Sequence, residues 1–294
     1  MSFDVAAPTY DRDFTQRRLA LWLRAMVRAH VPVQAGERVL ELGCGTGEDA
    51  VWLAGQGALV TATDASEVML ACTREKTQHA GLSARVQVRH LDMNALEEDT
   101  DADARYGVAT NHVSNDTHPV DERFDGVFSN FGAVNCAADL PGLARFLAAQ
   151  VRPGGWVVLV IMGRWCPWEI GWHLLHGKPG AAFRRARAGQ AGIPAHVGEG
   201  QTVRVWYPTP RDVRRAFAPH FVYQRTVGMG TLLPPSYLDH VAERWPGTFE
   251  VLAGWDARFG AFFPMTAWND HYLIAFSRSN TADHAVVSTG GRPT

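Results

Sequence analysis

Apolar positions in the first part of the chain recur at helical spacing. Between Asp13 and Ala29, Leu19, Leu23, Met26 and Val27 fall at i, i+4, i+7 and i+8, one stripe of an amphipathic helix. Arg17, Arg18, Arg24 and Arg28 lie mostly off that stripe, and Pro32 follows its end. From Arg38 the period switches back and forth. Short β-like runs at Arg38 to Leu42, Leu59 to Thr63, Val86 to Leu91, Phe124 to Ser129 and Trp156 to Met162 alternate with helical patterns at Thr46 to Ala54, Ser66 to Ala80 and Leu140 to Val151. Strands that alternate with helices need crossover connections, and these imply an α/β fold with a parallel sheet. The run Trp156 to Met162 is apolar throughout, which suits a strand covered on both faces. Beyond it the pattern predicts a short strand at Thr202 to Trp206, a helix at Arg211 to Phe217 and strands at Phe221 to Thr226 and Tyr272 to Phe276.

Two stretches interrupt the alternation. Glu97 to Glu122 carries eight acidic residues and almost no apolar run, so it reads as a mobile surface insertion. Gly163 to Gly200 opens on tryptophans and closes in the glycine-rich AGQAGIPAHVGEG, which reads as a cap that leaves the sheet and returns. The division expected is an arm and helix over 1–30, a ligand-binding core over 31–162, a cap over 163–206, the rest of the sheet over 207–278 and a polar, disordered tail over 279–294, its polarity setting in at Ser277.

Composition narrows the function. Of 294 residues 46% are hydrophobic and 20% charged, so a sizeable core is available. A net charge of −2 argues against a protein whose main task is to grip nucleic acid. No apolar run approaches the ~20 residues of a membrane span. The start MSFDVAAPTYDRDF has neither a basic nor an apolar segment, so no secretory signal is expected. Cys44, Cys72, Cys136 and Cys166 form no CxxC pair, and the His, Asp and Glu residues show no metal-ligand spacing, so no metal site is expected and a reducing cytoplasm is the expected compartment.

The run Val39-Leu40-Glu41-Leu42-Gly43-Cys44-Gly45-Thr46-Gly47 stands where a strand ends and a helix begins. Glycines there let a ligand touch the main chain, beside the positive end of the helix. A dinucleotide site wants a small residue at position 48, and this chain has Glu48, whose charge would repel a pyrophosphate. Glu41, two residues before the loop, suits a cationic ligand instead, such as one carrying an α-ammonium group.

With VLELGCGTGEDA, then VTATDAS followed by Met69-Leu70, then HLDMNAL, the stretch from about Val5 to Met162 resembles the class I S-adenosylmethionine-dependent methyltransferases. The resemblance implies a Rossmann-like seven-stranded, mostly parallel sheet whose last strand is antiparallel, and S-adenosylmethionine as cofactor. It implies that Gly43, Cys44, Gly45 and Gly47 meet the methionine part while Glu41 supports the loop. Asp64, 21 positions after Gly43, would hold the ribose, with Ala65 beside it and Met69 facing back to the loop; N-capping of the next helix is the competing use of Asp64. Asp92 and Met93 would frame the adenine. Ser129 and Asn130 would contact the cofactor, and Asn135 the substrate. Ala7-x-x-Tyr10-Asp11 is similar to a closing arm in small-molecule methyltransferases, with Tyr10 over the cofactor and Phe14 assisting.

Seven of the ten tryptophans lie at or beyond 165. Arg164, Trp165, Trp168 and Trp172, with Tyr237 further on, are therefore candidates for an apolar or aromatic acceptor pocket, against the alternative that the tryptophans pack the cap on the sheet. Asn130-Phe131-Gly132 lacks the proline of base-methylating enzymes, which disfavours a nucleic acid substrate. A hydroxyl or amine acceptor needs its proton removed, and His173, Glu169, His240 and His271 are the candidate bases. The function expected is methyl transfer to oxygen or nitrogen of a small apolar or aromatic metabolite. Carbon methylation of a quinone or lipid-like ring and a non-catalytic cofactor-binding protein are the alternatives, with a dehydrogenase disfavoured by Glu48. The pattern leaves the oligomeric state open.

Overall fold

The computed structural model describes residues 3–96, 123–197, 201–235 and 244–280. The insertion 97–122, Tyr237, His240 and the tail 281–294 lie outside the described residues.

Strands β1 (Arg38–Leu42), β2 (Leu59–Asp64), β3 (Val86–His90), β4 (Phe124–Ser129) and β5 (Val151–Met162) form the parallel part of a seven-stranded sheet. Two further strands, β6 (Ile193–His196) and β7 (Thr202–Val205), stand apart from it. The sheet is completed by β8 (Phe221–Met229) and β9 (His271–Arg278), in the order β3-β2-β1-β4-β5-β9-β8, with β9 antiparallel to both neighbours. The chain steps outward from β1 to β3 and then returns to the other side of β1 at β4. That reversal leaves a crevice at the carboxyl ends of β1 and β4.

Period-2 alternation divides the interior between two faces. Along β5, Val157, Leu159 and Ile161 enter one core with Leu40, Leu147 and Phe217. Val158 and Val160 enter the other with Val27, Val39 and Leu53. Each such side chain, fully buried, contributes about 1.5–3 kcal/mol, and the unbroken apolar run of β5 is what two covered faces demand. Helices Arg18–Arg28 and Glu48–Gly55 cover one face, and Leu140–Gln150 and Pro210–Phe217 the other.

Four expectations need correction. The first helix is not continuous from Asp13. A short helix, Ala7–Tyr10, runs into a π-helical turn, Asp11–Thr15, the chain extends at Arg17, and only then does Arg18–Arg28 follow. Asp11, in the π-helical turn, bonds Thr46 and Lys76. The strand expected at Trp156 to Met162 starts earlier, at Val151, and carries Pro153-Gly154-Gly155 within it, as an irregularity where pairing jumps from Phe124↔Val151 to Gly126↔Trp156. The strand at Thr202–Val205 pairs antiparallel with Ile193–His196 in a separate hairpin and not with the main sheet. Ser277 and Arg278 are not tail: they pair with Trp156 and Phe221 and extend β9.

Among the described residues no helix is long and apolar enough to cross a membrane, and no group of three or more His, Cys, Asp or Glu could hold a metal ion.

Candidate functional site

The turn after β1 is shaped by Gly43, Gly45 and Gly47, with φ of 66°, 55° and 83°, a region that costs an ordinary residue about 1–2 kcal/mol. A Cβ at Gly43 would lie 2.3 Å from Ala133 Cβ, and one at Gly47 2.7 Å from Thr73 Cγ2. At Gly45 a Cβ would meet nothing within 4 Å, so this glycine opens onto space. The loop is tied to β2. Cys44 N donates to Thr63 O at 2.8 Å and Gly45 N to Asp64 Oδ2 at 3.0 Å, while Asp64 Oδ1 accepts from Ser66 N at 2.9 Å. Ser66, not Asp64, caps the next helix, its Oγ accepting from Met69 N. The Asp64 carboxylate is thereby left at the strand end, between two adjoining cavities of about 380 and 290 Å³ that both include Gly43, Asp64 and Ala133 in their walls.

The N-terminal arm closes one side. Phe3, Tyr10, Phe14 and Thr15 line the larger cavity. Rings meet in series, Tyr10 tilted against Phe14 and Phe14 edge-on to Phe131, each pair with centroids 5.2 Å apart. Asp11 latches the arm: its Oδ1 accepts from Thr46 Oγ1 at 2.6 Å and its Oδ2 from Lys76 Nζ at 2.7 Å. Replacing Lys76 by Met removes its partly exposed ion pair with Asp11, worth up to about 1 kcal/mol, together with a second one to Glu48, which is not on the arm. Amide exchange over residues 7–16 is expected to quicken by roughly three- to fivefold, with exchange in the Glu67–His79 helix unchanged; equal protection in both proteins would show that Lys76 does not hold the arm.

The hairpin forms the roof. Ala195, His196, Val197, Val203 and Val205 face the larger cavity, and Val203, Arg204 and Trp206 the smaller. Asn135 fastens it. Asn135 Nδ2 donates to Trp206 O at 2.6 Å and Met162 O at 3.2 Å, its Oδ1 accepts from Met162 N, and Trp206 N donates to Asn135 O.

Two buried ionisable groups face the larger cavity with bonding capacity unmet. Glu41 is 3% exposed and its Oε2 has no partner; burial first, then the nearby Asp49, raise its proton affinity well above an ordinary carboxylate's. Arg24 is 5% exposed, with Nε and Nη1 unpartnered and its guanidinium 4.6 Å over the Phe131 ring. Asp49 stands 3.8 Å from it but already accepts from Arg28 and from Asn130 Nδ2. An unsatisfied buried polar group costs about 1–3 kcal/mol, more if charged. Burial likewise raises the pKa of Asp64, only partly offset by the Ser66 and Gly45 amides, and pushes the Tyr10 hydroxyl up to about 12.

At the same cavity, His271 Nδ1 lies 3.0 Å from Asp270 Oδ2, which leaves Nε2 for a ligand. The ring is in perpendicular contact with Phe131 at 6.2 Å.

The structure brings Tyr10, Phe14, Glu41, Gly43, Cys44, Gly45, Asp64, Met69, Asn130 and His271 to the larger cavity, and Ala65, Asp92 and Met93 to the smaller. Gly47 supports the loop from behind, against Thr73. Ser129 is fully buried and its hydroxyl donates to Leu42 O, so it faces the sheet. Asn135 is fully buried and bonded within the protein, which removes it from the substrate wall. Arg164 bonds Tyr207 O and Asp212. Trp165, Trp168 and Trp172 line neither cavity: Trp165 is exposed, bridging to Trp268, and Trp172 lies against His176. His173 is on the Pro167–Leu175 helix away from both cavities, and Glu169 is buried against Arg185.

Arg24, Asp49, Met162 and the place of the hairpin over the cavities were not among the expected site features. For Arg24 the signal was present: Ala20, Arg24 and Val27 fall at i, i+4 and i+7, and Ala20 and Val27 are fully buried.

The chain matches the model of a methyltransferase domain over residues 39–120. It is 35% identical over 160 residues to a demethylmenaquinone methyltransferase of Clavibacter sepedonicus (53% of this chain, 55% of that protein). It is 30% identical over 164 residues to a phosphatidylethanolamine N-methyltransferase of Cereibacter sphaeroides (54% and 69%). The chain thus spans about half the length of the first relative and about two thirds of the second. An S-adenosylmethionine dependent methyltransferase from Mesorhizobium loti shares the fold, with a TM-score of 0.51 at 19% identity over 87% of this chain and 96% of that one.

Proposed function

We propose, from the premise that the chain belongs to the class I S-adenosylmethionine-dependent methyltransferases, that it transfers a methyl group from that cofactor to an oxygen or nitrogen of a small, largely apolar or aromatic acceptor. One observation carries the cofactor reading. A buried carboxylate and a buried guanidinium, both short of partners, face one cavity beside a glycine that opens onto it. An amino acid zwitterion has the complementary charges. In this reading Glu41 takes the ammonium, Arg24 the carboxylate and Asp64 the ribose hydroxyls, while Ala65, Asp92 and Met93 frame the adenine in the smaller cavity. Tyr10 and Phe14 exclude water, and their faces favour a sulfonium.

When bound, the cofactor supplies a methyl already activated on a sulfonium. The chain's residues need only align the acceptor and accept a proton. Phe14, Phe131, Met162, Val203 and Val205 offer apolar area for the acceptor body, and His271, oriented by Asp270, takes the proton. Among the described residues lining the larger cavity, Arg24 is the single Lys or Arg, so an acceptor bearing phosphate meets no spare cation there. A second reading, transfer to a ring carbon beside a hydroxyl, draws on the likeness to the demethylmenaquinone enzyme and uses the same deprotonation.

Incubation with methyl-labelled S-adenosylmethionine and a panel of phenols, hydroquinones and hydrophobic amines tests both. Label on oxygen or nitrogen supports the first reading and label on ring carbon the second. Absence of any product, from the panel or a metabolite extract, favours a binding protein. Arg24→Met is expected to weaken S-adenosylhomocysteine binding roughly 10–100-fold by calorimetry, the scale of a charge-assisted bond, while the ligand-free protein loses little stability, because two unbonded buried N–H groups are removed along with a long 3.8 Å ion pair to Asp49 and the contact with Phe131. Unchanged affinity would take the carboxylate contact away from Arg24.

A further inference from the structure

Behind His271 stands a line of buried charges that reaches the cap. Asp270 Oδ1 accepts from Arg185 Nη2 at 2.7 Å, and Glu169 Oε2 accepts from Arg185 Nη2 at 2.6 Å and Nε at 2.9 Å. Arg185 Nη1 also donates to Gly163 O and Asp270 O, both at 3.1 Å. All four side chains are buried. The charges alternate, minus at Glu169, plus at Arg185, minus at Asp270, and the sum is one unit negative unless the imidazole is protonated. Buried ion pairs of this kind contribute little net stability over apolar packing, so the arrangement calls for another use. His271 begins β9, whereas Glu169 lies on the first turn of the Pro167–Leu175 helix and Arg185 begins the Arg185–Ala188 turn.

We infer that Glu169 and Arg185 are positioning residues for His271: Arg185 fixes the Asp270 carboxylate so that its second oxygen orients the imidazole, and Glu169, which holds Arg185 through two hydrogen bonds, adds a buried negative charge to the same line. The inference rests on the reading of His271 as proton acceptor. It also gives Glu169 a role other than that of base, and makes correct seating of the cap a condition for proton uptake. The surrounding charges agree. Burial alone would raise the Asp270 pKa, but His271 and Arg185 hold it well below the usual range. Arg24, over the face of Phe131, opposes protonation from the cavity side. Arg184, 3.5 Å from Glu169, is half-exposed and screened. Cys166 and Tyr207, near Arg185, are kept neutral by burial, and Asp256 bonds the amides of Gly230, Thr231 and Leu232.

The test is a pH titration of the histidine rings by NMR in the full chain saturated with S-adenosylhomocysteine, with His271 assigned by its loss in His271→Asn. Glu169→Gln keeps the shape and deletes the charge. It is expected to lower the His271 midpoint by about one pH unit, a tenfold loss of proton affinity, and Glu169→Asp to restore most of it. A midpoint unmoved in Glu169→Gln, with Asp270→Asn shifting it, ends the chain at Asp270 and overturns the inference. Should Glu169→Gln fail to fold, Arg185→Lys keeps the cation but loses the fork that holds both carboxylates; it is expected to move the His271 midpoint, and an unmoved midpoint overturns the inference. If the midpoint moves in Glu169→Gln but His271→Asn transfers methyl normally, the charge chain stands and the base reading falls. If His271→Asn is inactive and the midpoint is fixed, the reverse holds.

Discussion

Gly45→Val is expected to abolish measurable binding of S-adenosylhomocysteine, a loss of more than about 100-fold. A Cβ at this position meets no protein atom within 4 Å and points into space bordered by the loop and Asp64. The valine methyls would fill the volume where a ligand touches main chain, and such overpacking costs about 1–3 kcal/mol beyond the contact that is lost. The ligand-free protein should suffer far less. Its penalty is the positive φ of 55°, about 1–2 kcal/mol. Gly47→Val makes the contrast. There the new atoms strike Thr73 at 2.7 Å, so the loss should appear in the melting temperature of the free protein. Calorimetry and thermal melts on the two variants separate a glycine needed for a ligand from one needed for packing. Wild-type affinity in Gly45→Val would remove the loop from the site.

The second large effect is expected at His271. His271→Asn keeps an amide able to donate to Asp270 but no group that takes a proton. On whichever acceptor the labelled-cofactor screen yields, kcat should fall by about 10²–10⁴-fold, the usual range for loss of a general base, while S-adenosylhomocysteine affinity stays within about twofold. A wild-type kcat would mean that the acceptor loses its proton without His271. A rise in KM alone would assign the residue to acceptor binding.

Both variants concern residues that the linear sequence offers unequally. The glycine loop is legible because its residues are contiguous and follow a β-like run directly. Asp64 is legible because the parallel alternation puts it at a strand's carboxyl end, and Ser66 two positions on takes the capping duty. His271 was one histidine among several candidates. What separates it is Asp270, its neighbour in sequence, whose carboxylate is aimed by Arg185, 85 positions away. Glu169 was legible as a chemical group but not as a partner of that arginine. The tryptophans of the cap misled for a related reason. Their spacing places two on one helix face, yet spacing does not say what that face meets, and the strands Ile193–His196 and Thr202–Val205 occupy the position over the cavity instead.

The sequence by itself determined the alternation of strands and helices, the doubly covered central strand, the loop between β1 and its helix, and the acids at the end of β2 and after β3. Each follows from short-range periodicity or from a turn that only glycine makes easily. Only the tertiary structure decided that Arg24 is buried with two of its nitrogens unbonded, that the hairpin and not the tryptophans roofs the cavity, and that Glu169 connects through Arg185 and Asp270 to His271. Those facts depend on contacts between segments far apart in the chain, and the energy of a buried charge is set by whatever the fold places around it, which no local pattern specifies.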